Sequence, residues 1–459
     1  MNVRGHGRRV VWMLSAAAAC SQGTAELPPE GQVILYVDTD APLPDADPGA
    51  PPALFDRLRV TLLPPGSSAP CDGCTQEFEL TTPLLGTGNA SVGLTLPPGQ
   101  SGWLAHVQMF PLAFAATTGD PDPDTTVDIT VALPTLDPTG LVEVTAMLST
   151  ATVGQPVGSA ASPVQPTPGP PGASLVGSWG PAKRATCQAT ATQGEVCVPG
   201  GAFWMGTTRS PNPPLPTLAY LHPRLVTLSP FFLGAAEVTV AEYRAFGRIK
   251  APWTGSVEGI NPDDWCTFTS TPSSNDTQPL NCVLWSEARA YCGSRGGDLP
   301  TEAQWEYAAG GLASTMFVWG SDLPGCGDAV WGRAGFGYFA SFDHVCTEAR
   351  PGQAPVPLAA GGRALDKLVL AGGTIYDLAG NLAEWALDAW DSPDGACWGA
   401  GRVYSDPVCG DVANATYRPV RGGAWYQAAN SMPATARLKV STANFLVANG
   451  FRCAHPDSP

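Results

Sequence analysis

Cysteine is the residue type that most constrains how this chain folds. The sequence holds thirteen cysteines, and the twelve that follow Cys20 form an even set, which is typical of a disulfide framework in an oxidising compartment. Connectivity cannot be deduced from sequence alone. Spacing favours five local bridges and leaves one distant pair: Cys71 with Cys74, Cys187 with Cys197, Cys266 with Cys282, Cys326 with Cys346, Cys397 with Cys409, and Cys292 with Cys453. The distant pair would close a loop of 161 residues, which contributes about 5 kcal/mol in the chain-entropy account.

The segment Cys71-Asp-Gly-Cys74 has a second interpretation. Two cysteines at this spacing also form redox-active pairs or half of a zinc site. No second Cys-x-x-Cys and no nearby histidine follow it, so we expect a structural bridge.

The N-terminus reads as an export signal. Arg4, Arg8 and Arg9 precede the apolar run 10–19, which is too short to span a bilayer. Small residues lead directly to Cys20, and this resembles the lipobox of bacterial lipoproteins, in which that cysteine carries the lipid anchor. The alternative is an ordinary cleavage site. We expect an exported protein of the bacterial cell envelope that contacts the membrane only through the anchor.

Composition limits the remaining classes. At about 150 residues per domain, 459 residues predict two or three domains. The hydrophobic share of 44% supplies enough apolar material for cores, whereas the net charge of −16 gives no attraction to nucleic acid or anionic lipid. Glycine and proline total 52 and 47, so loops should exceed regular structure.

The N-terminal part shows strand-like alternation. Seven short segments alternate between apolar and polar residues: 33–37, 58–63, 77–80, 91–96, 103–110, 126–133 and 141–148. They predict an all-β sandwich of immunoglobulin-like or fibronectin-like type over residues 31–150. Residues 151–174 are rich in Pro, Gly, Ala, Ser and Thr, which predicts a semi-rigid linker.

Beyond the linker, two capping boxes mark helix starts. Thr239-Val-Ala-Glu242 and Thr301-Glu-Ala-Gln304 both fit the Ser/Thr-x-x-Glu/Gln pattern. Short helices are predicted over 241–246, 287–292 and 302–309, the last ended by Gly310 and Gly311. The remainder should be short strands and loops.

Seven phrases in this part together resemble the formylglycine-generating enzyme, or sulfatase-modifying factor, family. They are Pro199-Gly-Gly-Ala-Phe-Trp-Met-Gly206, Glu237-Val-Thr-Val-Ala-Glu-Tyr243, Asn281-Cys-Val-Leu-Trp-Ser-Glu-Ala288, Leu299-Pro-Thr-Glu-Ala-Gln-Trp-Glu-Tyr-Ala308, Tyr376-Asp-Leu-Ala-Gly-Asn-Leu-Ala-Glu-Trp385, Arg421-Gly-Gly-Ala-Trp425 and Gly450-Phe-Arg-Cys453. The resemblance covers residues 187–456 and implies an α+β, loop-rich fold of the C-type-lectin type. It also implies a bridge between Cys292 and Cys453.

The same resemblance indicates lost catalysis. Active members hold copper through two cysteines that follow the Arg-Gly-Gly-Ser-Trp phrase, and Cu(I) favours such soft sulfur ligands. Here Gln427 and Met432 stand at the two cysteine positions, and Ala424 replaces the pocket serine. We therefore expect that the chain binds no copper and does not synthesise formylglycine. The sequence accordingly offers no candidate catalytic residue. The alternative is an oxidoreductase of this family with an altered mechanism, although the five scattered histidines form no iron-binding signature.

A structural calcium site is the metal that the resemblance implies. Asp377, Gly380, Leu382 and Glu384 match a family site built from two side-chain oxygens and two carbonyls, a suitable set for a hard cation. The alternative is that the two carboxylates only cap turns. A second site with Asp328 and Asp343 would lie between Cys326 and Cys346.

Two further expectations concern aromatic residues and the rim of the lectin-like groove. Trp285, Trp305, Trp385 and Trp425 should pack in the core rather than form a ligand platform. The groove would be lined by Tyr426, Gln427, Asn430 and Met432. It could bind an envelope or extracellular peptide, protein or glycan. The sequence thus favours a binding or structural envelope protein, with a role in positioning other surface proteins as a further alternative.

Overall fold

The computed structural model describes residues 31–45, 50–80, 90–137, 140–208, 218–247, 266–333, 346, 359–444 and 446–457. The predicted export signal with Cys20, and Asp343 of the second calcium site, lie outside these ranges. The chain divides into two compact units. The N-terminal unit comprises Met1–Asp45 and Phe55–Ser178, and the C-terminal unit comprises Ala46–Leu54 and Trp179–Pro459. Within the described ranges, no helix has the length and apolar character needed to cross a membrane.

The N-terminal unit contains two four-stranded sheets. Its strands are β1 Gln32–Thr39, β2 Arg57–Leu63, β3 Thr75–Glu79, β4 Ser91–Thr95, β5 Leu104–Phe110, β6 Val127–Ala132, β7 Leu141–Leu148 and β8 Thr167–Pro168. One sheet has the order β4-β1-β7-β8 and the other β3-β2-β5-β6. All seven predicted strands are present, with ends shifted by one or two residues. The immunoglobulin-like assignment stays a prediction.

Alternating apolar residues set the register of the first sheet. Val33, Leu35 and Val37 of β1 are buried, and the residues between Val33 and Leu35 and between Leu35 and Val37 are half-buried. β1 pairs with β7 in parallel along its whole length and with β4 antiparallel. Because side chains alternate across a strand, a slip of one residue would expose this buried row.

The prediction of a linker over 151–174 is wrong, because these residues are part of the N-terminal unit. Val153 is buried. The amide of Thr130 donates to the carbonyl of Val157 at 2.9 Å, and the amide of Ala132 donates to Val164 at 2.9 Å. Gly158 has a φ of +75°, and a Cβ there would lie 2.8 Å from the carbonyl of Thr130. The segment is therefore ordered despite its proline-rich composition. Its valines and carbonyls pair with the neighbouring strand.

The C-terminal unit is built from short strands, loops and three helices in the described ranges. The strands are β9 Glu195–Val198, β10 Gly201–Met205, β11 Leu218–Ala219, β12 Arg224–Leu228, β13 Phe231–Gly234, β14 Lys367–Leu370, β15 Gly373–Tyr376, β16 Ala383–Trp385, β17 Tyr404–Ser405, β18 Tyr417–Arg421, β19 Arg437–Ser441, β20 Asn449–Gly450 and β21 Ala454–Pro456. The helices are α1 Val240–Ala245, α2 Trp285–Ser294 and α3 Glu302–Ala309. The unit begins at Trp179, earlier than the predicted 187, and it includes residues 50–54, since the indole of Trp204 donates to the carbonyl of Leu54 at 2.8 Å.

The two capping boxes are confirmed. The hydroxyl of Thr239 accepts from the amide of Glu242, and the Glu242 carboxylate accepts from the amide of Thr239. Thr301 and Gln304 make the same reciprocal pair at the start of α3. Both helices therefore begin where the sequence pattern predicts.

All six predicted disulfide bridges are present. The twelve cysteines of the described ranges pair as Cys71–Cys74, Cys187–Cys197, Cys266–Cys282, Cys292–Cys453, Cys326–Cys346 and Cys397–Cys409. This number of bridges fits an oxidising, exported environment.

Candidate functional site

The five-stranded sheet β11-β19-β18-β16-β20 positions the candidate site. Its register places Glu384 opposite Arg421, and Arg421 opposite Arg437, so these three side chains share one face. Each of the three is buried. The sheet therefore presents a polar face inside the domain, and helix α3 supplies its partners.

Two glutamates of α3 neutralise the two arginines. Glu302 accepts from the guanidinium of Arg437 at 2.9 Å and from that of Arg421 at 3.3 Å. Glu306 also pairs with Arg421, and its other oxygen accepts from the amide of Gly206 at 2.6 Å. Burial raises the pKa of Glu306, and the neighbouring Arg421 opposes that shift. Paired in this way, the charges hold the helix on the sheet.

A second pair lies beside the first. The guanidinium of Arg452 donates to both carboxylate oxygens of Glu384 at 2.6–2.9 Å, and the indole of Trp305 donates to the same carboxylate at 2.9 Å. Arg452 further donates to the carbonyls of Gly234 and Asp377, each at 3.0 Å. We call Glu302, Glu306, Glu384, Arg421, Arg437 and Arg452 the polar layer.

Three more buried acids gather around Arg452. Glu237 accepts from the side-chain amide of Asn381 at 2.6 Å, and Asp366 accepts from the amide of Leu378 at 2.9 Å. Burial raises the pKa of both well above the usual value, and the negative charge of Asp377 adds to each shift. Burial raises the pKa of Asp377 to about 6. One guanidinium therefore faces an excess of carboxyl groups.

The predicted calcium ligands lie within this acid-rich region. Asp377 and Gly380 have positive φ values of +57° and +98°, so the chain turns tightly between Asp377 and Glu384. The donor chemistry fits a hard cation, because Asp377, Glu384 and the backbone carbonyls between them are oxygen ligands. Both oxygens of Glu384 already accept N–H groups, so an ion there would share Glu384 with Arg452. Calcium stays a prediction, and so does the second site, where Asp328 accepts from the amide of Gly325 at 2.7 Å.

The loop 422–432 directly follows Arg421 of the polar layer. Gly422 and Gly423 have φ values of +97° and +70°, and a Cβ at Gly423 would lie 2.9 Å from both Met432 Cγ and Ser431 Oγ. The amide of Trp425 donates to the carbonyl of Asn381 at 2.8 Å. The loop is therefore folded tightly over its own C-terminal end and against the Gly380-Asn381 turn.

Met432 does not line a groove, contrary to the sequence prediction. It is fully buried in an apolar cluster with Phe317, Ala329, Trp331, Cys346 and Ala379. The thioether side chain is apolar and flexible, which suits an irregular gap in a core. Ala424 is also fully buried, in the cluster that holds Trp385 and Trp425.

The other three predicted groove residues lie at the surface edge of the loop. Tyr426, Gln427 and Asn430 are half-buried. Burial raises the pKa of Tyr426 to about 12, so its hydroxyl stays protonated at neutral pH. Trp425 packs edge-on against Tyr426, with ring centroids 5.0 Å apart. The described loop thus keeps Tyr426, Gln427 and Asn430 partly exposed, whereas Ala424 and Met432 are buried.

The four tryptophans predicted to be core residues are buried. Trp305, Trp385 and Trp425 have no exposed surface and Trp285 retains 6%. Sequence reasoning missed Glu237 and Asp366, however. Glu237 is the first residue of a phrase that resembles the family. An acidic residue in an otherwise apolar context is a signal that could have identified it. Asp366 follows no recognisable pattern.

Fold and site together define a loop-rich α+β domain in which a polar layer supports a glycine-rich loop. The described part is mostly strand and loop with three short helices, which fits the lectin-like fold implied by the resemblance. The model of the sulfatase-modifying factor enzyme 1-like domain family matches residues 181–456, which is more than half of the chain. The chain belongs to this family.

The relatives include one protein named as an enzyme and one named as its inactive counterpart. The formylglycine-generating enzyme of Streptomyces coelicolor is 30% identical over 241 residues, 44% of this chain and 70% of the relative. The inactive C-alpha-formylglycine-generating enzyme 2 of Bos taurus is 28% identical over 248 residues, 44% of this chain and 75% of the relative. Among solved structures, PvdO from Pseudomonas aeruginosa is 20% identical to this chain. The match covers 57% of this chain and 94% of PvdO, with a TM-score of 0.39.

Proposed function

We propose that this chain is an exported, non-catalytic member of the family that binds a partner through the loop 422–432. The observation that carries the proposal is the state of the cysteines. Gln427 and Met432 occupy the two positions where active members carry copper-binding thiols. Every cysteine in the described ranges is disulfide-bonded. No thiol in those ranges is therefore available to replace the pair.

The setting of Met432 supports the same proposal. A thioether is a neutral, weak ligand for Cu(I), and a reactive site needs thiolate donors. The side chain of Met432 is surrounded by apolar groups and serves as packing. Ala424 removes the hydroxyl that the family pocket would present.

Identity to relatives does not decide the matter. One similar protein is named a formylglycine-generating enzyme and another its inactive counterpart, at 30% and 28% identity. The residues at the two cysteine positions separate the alternatives, so the proposal depends on Gln427 and Met432 rather than on overall likeness.

Copper binding and peptide oxidation test the proposal. The purified chain should neither bind Cu(I) tightly nor convert a sulfatase-motif cysteine peptide to an aldehyde. A matched variant with both Gln427→Cys and Met432→Cys restores the thiol pair and should gain Cu(I) affinity, which shows that the assay can detect the site. Oxygen consumption by the unchanged chain with a thiol peptide would instead favour the altered oxidoreductase.

The binding surface would be the outer side of the loop. Tyr426, Gln427 and Asn430 provide half-buried polar groups that can recognise an extracellular peptide, protein or glycan. A glycan array and an envelope-protein screen should give hits that Tyr426→Ala and Gln427→Glu weaken. If every hit is indifferent to both substitutions, the surface lies elsewhere.

Calcium would stabilise the turn between Asp377 and Glu384. The surplus of carboxyl groups around Arg452 supports this proposal, because a divalent cation would offset their repulsion. Adding a chelator should lower the melting temperature, and Asp377→Asn should remove that sensitivity. An unchanged melting temperature in chelator would overturn it.

Lipid attachment at Cys20 completes the proposal for location. Labelled palmitate should be incorporated into the expressed chain and not into Cys20→Ala, which would be released in soluble form. Equal labelling of the two would point to an ordinary cleavage site instead.

A further inference from the structure

The Cys71–Cys74 bridge lies in the turn that joins β2 to β3 in the N-terminal unit. Its Cα atoms are 5.2 Å apart and its sequence separation is 3. Asp72 and Gly73, inside the ring, are exposed, and residues 68–70 and 75–77 on either side are exposed as well. A Cβ at Gly73 would meet no atom within 4 Å. Solvent and small reagents therefore have an open path to the bridge.

The other five bridges have more protected settings. Four of them include at least one buried cysteine, namely Cys282, Cys346, Cys409, and both Cys292 and Cys453. Cys187–Cys197 is half-buried at both ends, but Cys197 is part of β9 and the Sγ of Cys187 lies 3.6 Å from the carbonyl of Phe231. Attack by a thiol requires access to sulfur along the bridge axis, so these bridges should react more slowly.

The fold around Cys71–Cys74 does not depend on the bridge. Strands β2 and β3 pair through five residues, from Arg57 with Glu79 to Thr61 with Thr75. The amide of Leu62 donates to the carbonyl of Cys74 at 2.9 Å, and the amide of Cys74 donates to that of Cys71 at 3.1 Å. Because the entropic contribution of a disulfide grows with loop length, this smallest ring contributes least of the six.

We propose that Cys71 and Cys74 form a reversible thiol–disulfide exchange site whose co-reactant is a neutral or cationic dithiol. A thiolate of the co-reactant attacks one sulfur, forms a mixed disulfide and releases the other cysteine as a thiolate. The second thiol of the co-reactant then displaces the first cysteine. Two electrons and two protons pass to the cysteines, and the co-reactant becomes a disulfide. Asp72 lies inside the ring and the chain carries a formal charge of −16, so an anionic thiol is disfavoured.

Graded reduction of the full chain by dithiothreitol tests the proposal, with alkylation and mass spectrometry to assign each cysteine. Cys71 and Cys74 should be alkylated about tenfold faster than Cys187 and Cys197, the matched half-buried pair. The melting temperature should fall less at that stage than when Cys187–Cys197 is reduced, and cystamine, a cationic disulfide, should restore the bridge. Cationic cysteamine should react faster than anionic mercaptoacetate, and added salt should shrink the difference.

Three results would overturn the proposal. The first is a bridge reduced no faster than Cys187–Cys197. The second is a melting temperature that falls as far when Cys71 and Cys74 are alkylated as when Cys187 and Cys197 are, since the bridge would then be structural. The third is failure of the bridge to re-form with cystamine. Cys71→Ser with Cys74→Ser provides a folded chain without the site, in which the fast alkylation phase should vanish.

Discussion

The polar layer and the loop 422–432 meet in the chain, yet they differ in the kind of residue they contain. The polar layer keeps its charged residues buried and paired, with Glu302, Glu306 and Glu384 facing Arg421, Arg437 and Arg452. The loop instead has neutral residues, and Met432 packs in an apolar cluster beneath it. Arg421 of the polar layer directly precedes Gly422, the first residue of the loop.

This difference shows how a chain can belong to the family and still lack its copper chemistry, as we propose. Helix α3, β16, the end of β18 and Arg452 all belong to phrases shared with the family, and together they build the scaffold. A buried charge that loses its partner destabilises the whole domain, whereas a catalytic thiol that is lost affects only activity. The scaffold is thus constrained by folding, as are the buried residues Ala424, Trp425 and Met432 of the loop, whereas Gln427 at the loop surface is free of that constraint.

The largest effect should come from breaking the polar layer. Arg452→Met leaves Glu384 as a buried, unpaired charge and removes donors from the carbonyls of Gly234 and Asp377. We expect a loss of about 3–5 kcal/mol in the free energy of unfolding. Urea denaturation measures it.

A double variant separates lost pairing from lost packing. Glu384→Gln with Arg452→Met removes both charges, so it should be less destabilised than the sum of the two single variants. Strict additivity would mean that the pair has no coupling, and the contrast between layer and loop would then lose its physical basis.

Met432 should matter for stability and Gln427 should not. Met432→Ala leaves a cavity in the cluster with Phe317 and Trp331, at a cost of about 2–4 kcal/mol. Met432→Leu, which keeps the volume, should cost less than about 1.5 kcal/mol. Half-buried Gln427→Ala should stay within about 0.5 kcal/mol of the parent. An equal loss for Met432→Ala and Gln427→Ala would contradict the packing role.

Asp388 links the polar layer to pH. It accepts from the amides of Glu302 at 2.6 Å and Cys409 at 2.7 Å. Burial, aided by the charge of Glu302, raises the pKa of Asp388 to about 7 from 3.8. Between about pH 4 and pH 7 the folded chain therefore holds a proton that the unfolded chain has released, so this group lowers stability as pH rises through that window.

Asp388→Asn should flatten the dependence by up to about 1.4 kcal/mol per pH unit, while losing part of the amide hydrogen bonding at every pH. Unfolding by urea at several pH values measures the slope. A parallel pair of curves for Asp388→Asn and the parent would refute the assignment.

Local signals in the sequence predicted much of this fold. Alternation placed the seven strands, and the hydroxyl-to-glutamine spacing at Thr301 and Gln304 placed the start of α3, because these patterns depend on neighbouring residues only. The packing of residues 151–178 could not be predicted in this way. Val157 and Val164 lie among prolines and form β-bridges with residues of strand β6. Because β6 is distant in sequence, these bridges leave no local pattern.

The site was predictable in identity but not in environment. The positions of Ala424, Gln427 and Met432 could be read from the shared phrase. The burial of Met432 could not, since it depends on Phe317 and Trp331, about a hundred residues earlier in the sequence. The same holds for Glu237, whose carboxylate accepts from the side chain of Asn381, 144 residues later in the sequence.

The smallest predicted effect tests whether α3 is held by its cap or by the polar layer. Thr301→Ala removes the hydroxyl that accepts from the amide of Gln304 at 3.1 Å, and it should cost about 1 kcal/mol. Thr301→Ser keeps the acceptor and should recover most of that loss. Thr239→Ala makes the same change at α1, which has an exposed capping box and lies outside the polar layer. Because the ion pairs of Glu302 and Glu306 hold α3 independently of its cap, Thr301→Ala should cost no more than Thr239→Ala, and a clearly larger cost at Thr301 would show that cap and layer fold as one cooperative element.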